Sequence, residues 1–538
     1  MALRRGAGAI LAGLGGAALY RYQKVKERES QLPQQPLTVF DSKTKKTIDN
    51  DKQKRVIIIG AGAVGVATAY KLAKLGHQVV VLEPSSKPGE ECSNCAAGGM
   101  SRQNVVVDKN TWIGALKCLT PTAVKSLLFG PEPTSSGDDD YHFDFFHIDW
   151  IKSLSDPFFL RWAMTFSKTS FFPEDGYSWK QQNMLKFTDF AVQDMVNMFQ
   201  NRRNNMAKAA GYNPRGCLAV SYENPPSPSM TSASSNNLEP NRHLPETDKI
   251  LKEEPSLSMQ VRAPTSAKFE YDTKAASSGR FTKELARQCE TDRSLDVSFF
   301  YNTKVQGIST EKGGENIPRI SKLMTNQGFI EVPNDVHVVV AAGAWTPHVL
   351  SLIDVYAPVY PLKGYAMSVS AKEILKASSS LKDKDLPSRI VCDKYMYTTR
   401  LGDEIRITSI GEFSDWDSKP TPHVDVNFRK EAIRQFPQLK DFILKAKTYC
   451  GHRPYVADGI LLLGALDSHE KLYVSCGPGS NGWKLALGSG EIIARLVSGQ
   501  TSDQIEKELG FDVNGFSPEG RVFYSPIFAK LCRARWNL

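Results

Sequence analysis

Three hydrophobic patterns divide the chain. Short continuous apolar runs at 56–59 (VIII), 79–82 (VVVL) and 336–342 (VHVVVAA) have the length and β-branched content of strands buried on both faces, and they predict a parallel sheet. Residues 358–370 and 390–413 alternate apolar and polar positions and predict antiparallel strands in a separate sheet. Apolar residues recur at helical intervals over 64–75, 112–130, 188–210 and 281–288, and again after Gly482. A further strand is expected near 297–301. The aromatic-dense stretch 141–172, with Phe145, Trp150 and Trp162, reads as core packing. Residues 31–53 and 223–247 are polar. The second of these is rich in Ser, Pro and Asn and too poor in apolar residues to offset its ordering entropy, which predicts an insertion without fixed structure.

The first strand runs into Gly60, Gly62 and Gly65, in G-x-G-x-x-G spacing, and then into a helix and a second strand ending at Glu83. This is the βαβ unit that holds the diphosphate of a dinucleotide. Gly60 permits the tight turn, Gly62 lets the backbone approach the pyrophosphate, and Gly65 lets helix pack on strand. The N–H groups of Ala63 and Val64 open the helix toward the phosphates. Glu83 is placed to accept the ribose hydroxyls, and a carboxylate there opposes a 2′-phosphate. The motif alone leaves FAD and NAD open.

The 538 residues suffice for two domains or more. The net charge is +9, but Lys and Arg are spread along the chain, and no basic block interleaved with aromatics marks a nucleic-acid surface. Nine cysteines without scaffold spacing fit a reducing interior. Cys92 and Cys95 form a single C-x-x-C. With no second pair it is no zinc site; it reads as small residues of a tight loop, with a redox dithiol as the alternative. Residues 1–30 are basic, rich in small residues and acid-free up to Glu27. They read as a mitochondrial presequence or short inner-membrane anchor, with a secretory signal or another organelle membrane as runner-up.

Four segments together resemble the FAD-dependent D-amino-acid oxidase superfamily, and within it the bacterial D-amino-acid dehydrogenases of small-subunit type. They are the glycine fingerprint, the loop ECSNCAAGGMS, the element VVVAAGAW, and GHRPYVADGILLLGA followed by SCGPGSNGWKLALGSG. PLKGYAMSV and RLGDEIRITSIGEF match the family's intermediate strands. The likeness spans about residues 55–500 and chooses FAD. It implies an α/β fold with a glutathione-reductase-type, Rossmann-like FAD-binding domain and an antiparallel-sheet α+β cap. The FAD-binding domain would comprise 54–105, 281–350 and 449–500, and the cap 106–222 and 351–448. Residues 223–280 would form the polar insertion and 501–538 a C-terminal tail. The implied cofactor contacts are Gly60, Gly62, Ala63, Val64, Gly65, Glu83, Ser93, Gly98, Gly99, Val305, Ala342, Gly343, Gly477, Gly479, Gly482 and Trp483.

The resemblance implies oxidation of an amino acid's CH–NH bond, with hydride passing from Cα to flavin N5 and electrons leaving to a quinone, or to oxygen in an oxidase variant. Arg453, in G-x-R-P, is the candidate for the substrate carboxylate, because guanidinium grips carboxylate in two-pronged fashion. A structural arginine bonding loop carbonyls is the equal alternative. Tyr395 and Tyr397, on an expected cap strand, are candidates for the pocket wall. His452 reads as a turn cap and Lys363 as a supporting residue. The sequence departs from the family at the ribityl loop, where Cys95 or Ala96 replaces the usual Asn, at His452, and in the polar insertion. A FAD-binding assembly factor for respiratory complexes, without turnover, is the reading from a different class.

Overall fold

The computed structural model describes residues 32–40, 53–102, 146–149, 152–153, 155–171, 177–201, 205–222, 242–244 and 246–536. Residues 1–30, the helical pattern at 112–130 and residues 223–241 of the polar insertion lie outside them, whereas Phe158, Phe159, Trp162 and Phe166 of the aromatic stretch lie in one buried core with Tyr360 and Phe413.

The apolar runs form the centre of a six-stranded sheet. Its order is Leu462–Ala465, Leu472–Cys476, Val336–Val340, Arg55–Ile59, Gln78–Leu82, Asp296–Phe300. All neighbours are parallel except the pair at the Leu462 edge. Both faces are covered, which is why these strands are continuously apolar. On one face lie the helices Ala63–Lys74, Ser278–Thr291 and Ala486–Val497, in one core with Val56, Ile58 and Val81. The first and last cross closely at Gly490, where a Cβ would sit 2.8 Å from the Ala67 carbonyl oxygen. The other face, with Ile57 and Val80, packs against Ile320, Leu323 and Ile330 of a three-stranded antiparallel sheet.

The alternating segments build a second, nine-stranded sheet. Its order is Thr448–Val456, Val359–Ser370, Glu404–Phe413, Tyr397–Leu401, Ile390–Cys392, Cys217–Ser221, Ser266–Glu270, Arg242–Leu244, with Phe146–Ile148 beside Glu404–Phe413. Tyr365, Met367, Ile405 and Ile407 pack on one side against Phe428 and Phe436, in and after the helix Pro422–Gln435. The opposite side faces the cavity between the two sheets.

Several boundaries differ from the sequence expectation. Residues 266–270, assigned to the polar insertion, are a strand of the second sheet, and the helix Ser278–Thr291 begins inside the same stretch. Residues 449–456, assigned to the dinucleotide-binding part, also belong to the second sheet. The segment 501–538 contains the helices Ser502–Leu509 and Pro526–Trp536. In each case long-range strand pairing or helix docking decides, and local composition carries neither.

Candidate functional site

A cavity of about 820 Å³ lies between the sheets. At one end the strand Arg55–Ile59 turns at Gly60, whose φ of +111° is open to glycine. A Cβ on Gly65 would collide with the Gly60 carbonyl oxygen, so glycine there sets the helix-to-strand distance. Gly62 differs: the nearest atom to a Cβ is Ser93 Oγ, at 3.7 Å, and its bare backbone faces the cavity. Ala63 N–H donates to Ser93 Oγ at 3.0 Å, which ties the loop after the second strand to the helix N-terminus. Glu83 ends that strand nearly buried. Its two oxygens accept from Ala61 N–H at 2.7 Å and Ser85 N–H at 2.9 Å, so the carboxylate is fixed against the cavity wall. A glycine turn, a helix N-terminus and an anchored acid in one wall fit a dinucleotide's diphosphate and ribose.

The second glycine loop closes the other side. Trp483 Nε1 donates to the Gly99 carbonyl at 3.0 Å, and Lys484 Nζ donates to the Ser101 carbonyl at 2.9 Å, so consecutive residues clamp one strand of the ECSNCAAGGMS segment. Gly479 and Gly482 line the cavity. Gly477 lies just behind them, with φ of +85°, and a Cβ there would collide with Val456. The helix expected from the loop begins only at Ala486.

From the second sheet, strand alternation sends Arg453 toward the cavity, over Gly364, where a Cβ would collide with its guanidinium. Arg453 Nη1 donates to the Ile410 carbonyl at 3.0 Å. Among the described residues no carboxylate lies within ion-pair distance of it. The structural role weighed for Arg453 is thus present, and it engages one nitrogen of the fork. Tyr397 is half-buried in the wall, and its hydroxyl comes so close to Gly99 that no side chain fits there. Burial holds its phenol protonated far above the usual range. Tyr395 also lines the cavity, but from the turn before the strand Tyr397–Leu401 and not from the strand itself. The Asp393 carboxylate accepts the N–H groups of Tyr395 and Met396 and builds that turn. His452 is no turn cap: it sits mid-strand, opposite Lys363, and its buried ring lies against the Asp417 backbone. Burial pulls its pKa to about 4.

The remaining expected contacts, Gly98, Val305, Ala342 and Gly343, all line the cavity. Lys484, Cys217 and Cys392 are among the wall residues that the sequence does not single out. Burial pulls the Lys484 ammonium down to about 7. A lysine following Gly-Trp in a glycine loop was the only local signal of it. Cys217 and Cys392 come from strands 175 residues apart. Nothing in the sequence pairs them.

The family model described as FAD dependent oxidoreductase matches residues 55–496. The D-amino acid dehydrogenase of Granulibacter bethesdensis is 26% identical over 83% of this chain and 96% of its own. That of Paramagnetospirillum magneticum is 27% identical, over 85% and 98%. Among solved structures, glycine oxidase from Geobacillus kaustophilus superposes with a TM-score of 0.55 at 18% identity, over 87% of this chain and 98% of that one, a likeness of fold.

Proposed function

The chain belongs to the FAD dependent oxidoreductase family, and on that basis we propose that it is an amino-acid dehydrogenase or oxidase acting on the CH–NH bond of a D-amino acid or a related secondary amine. The observation that carries this reading is Arg453: a cavity-facing guanidinium, held by one carbonyl and paired with no carboxylate among the described residues. The names of the sequence relatives point the same way. FAD, when bound, supplies the two-electron acceptor.

The adenine end is held by the turn at Gly60, Gly62 and Ala63 and by Glu83. Ser93, Gly98, Gly99, Val305, Ala342, Gly343, Gly479, Gly482 and Trp483 line the rest of the path. Arg453 takes the substrate carboxylate and fixes the α-carbon relative to the cavity floor. Tyr397, kept protonated by burial, is a hydrogen-bond donor that closes the wall beside Gly99. No side chain is required as a strong base, because an amino group can shed its proton to solvent before oxidation. A quinone or similar carrier is the acceptor this reading favours. Mitochondrial placement and membrane association rest on residues 1–30 alone. Among the described residues no helix is long and apolar enough to cross a membrane.

The test is anaerobic mixing of the purified flavoprotein with a panel of D-, L- and N-methyl amino acids. Bleaching of the oxidised flavin band by one class supports turnover and names the substrate. A flavin that none of them bleaches, in a preparation that dithionite does reduce, removes the proposal.

A further inference from the structure

In the cavity wall beside Tyr397, Cys217 Sγ and Cys392 Sγ lie 3.6 Å apart. Cys217 is the first residue of the strand Cys217–Ser221, and Cys392 the last of the strand Ile390–Cys392. These strands are parallel, with Cys217 opposite Ile390 and Cys392 opposite Ala219, so the two cysteines are offset by two positions. Combining the strand spacing with that offset puts their Cα atoms about 8 Å apart, beyond the reach of about 7 Å at which a disulfide closes without backbone movement. The thiols therefore point at each other across a gap that no direct bond fills.

The gap suits a bridging atom. A tetrahedral centre with sulfur bonds of about 2.3 Å spans its two sulfurs by about 3.8 Å, and a pyramidal centre with similar bonds spans slightly less. We propose that Cys217 and Cys392 form a vicinal-dithiol site in the cavity wall that captures monosubstituted trivalent arsenicals. The hydrogen bond shared with Cys392, together with burial, pushes the Cys217 thiol well above its ordinary range. A divalent cation, which needs thiolates, is disfavoured there. A dihydroxyarsine is not, because the condensation consumes the protons: two As–S bonds form, two As–O bonds break, and each thiol proton leaves with a hydroxide as water. No electron is transferred. The arsenic substituent then projects into the cavity next to Tyr397, whose backbone pairs with Cys392.

A competing dithiol lies in the same wall. Cys92 and Cys95 are one helical turn apart on the segment Cys92–Cys95. The experiment must separate the two pairs. The FAD-loaded protein is treated with one equivalent of phenylarsine oxide and followed by intact mass and by peptide mapping of the adduct. The expected result is one phenylarsenic per chain, mapped to the peptides containing Cys217 and Cys392, removed by 2,3-dimercaptopropanol and resistant to excess monothiol. Cys217→Ser and Cys392→Ser, each checked for retained flavin absorbance, should capture the reagent at least tenfold more slowly, and Cys92→Ser should capture it at the wild-type rate. Mapping of the wild-type adduct to Cys92 and Cys95, or no adduct at all, would overturn the assignment. So would capture at the wild-type rate by Cys217→Ser.

Discussion

Arg453 donates to the carbonyl of Ile410, and Ile410 presents that carbonyl from a left-handed backbone, with φ of +64°. For a β-branched residue this conformation costs about 1–2 kcal/mol. It sits beside the register shift between Lys363 and Tyr365, where the strand Glu404–Phe413 bulges against Val359–Ser370. The bulge turns a strand carbonyl out of the ladder and aims it at a guanidinium. One fork of the arginine is thereby fixed in place.

Replacing Arg453 with Leu removes the proposed carboxylate contact. Apparent KM for the substrate that bleaches the flavin should rise by about a hundredfold, in line with about 1.5–3 kcal/mol for a charged hydrogen bond in a dry site. Arg453→Lys should recover part of it. Steady-state kinetics on both variants decide. An unchanged KM would return Arg453 to the purely structural role.

Gly65→Ala and Gly62→Ala separate folding from cofactor affinity. A Cβ at residue 65 collides with the Gly60 backbone, whereas one at residue 62 meets only Ser93 Oγ, at 3.7 Å. The first variant should lose solubility or purify colourless. The second should fold with near-native circular dichroism and bind FAD more weakly, because its methyl group occupies the approach to the diphosphate. Flavin absorbance per protein, with added-back FAD, measures both.

Burial lowers the Lys484 pKa from 10.5 to about 7. Between those values the unfolded chain holds a proton that the folded chain has lost, so stability rises with pH across that window. The slope contributed is at most about 1.4 kcal/mol per pH unit. Urea unfolding between pH 7 and 9.5 should show this slope in the wild type and its loss in Lys484→Met. Equal slopes in the two proteins would mean that the amine is solvated or paired throughout.

Lys363 Nζ and Glu412 form an ion pair at 2.9 Å, with side chains 0% and 3% exposed. Tyr365 and Thr421 hydroxyls complete the carboxylate's shell, and Lys363 also donates to the Lys419 carbonyl, so the pair pins the loop after Phe413 to the sheet. That loop carries Trp416, whose indole N–H donates to the Ala344 carbonyl beside the cavity. Lys363→Met leaves a buried carboxylate uncompensated and should cost about 3–5 kcal/mol. Lys363→Met combined with Glu412→Leu should recover most of the loss in urea midpoint. A double variant as unstable as the single would show that the hydroxyl network, not the ion pair, dominates.

Local signals reached one half of the site. The diphosphate turn was readable because backbone geometry demands glycine at fixed spacings and an acid at the strand end, and those demands act over about thirty contiguous residues. The opposite wall was not readable in this way. Tyr395 is placed by an Asp393-capped turn that breaks the expected strand. His452 is turned away from Arg453 by the pleat.

The sequence by itself determined the dinucleotide turn, the parallel strands that carry it and the antiparallel character of the second sheet, because each depends on residue periodicity or on backbone freedom within one short segment. Tertiary structure alone decided which carbonyl holds Arg453, that Lys484 loses its solvent, and that Cys217 meets Cys392. Those relationships depend on strand order and register between distant segments, and no local pattern encodes either.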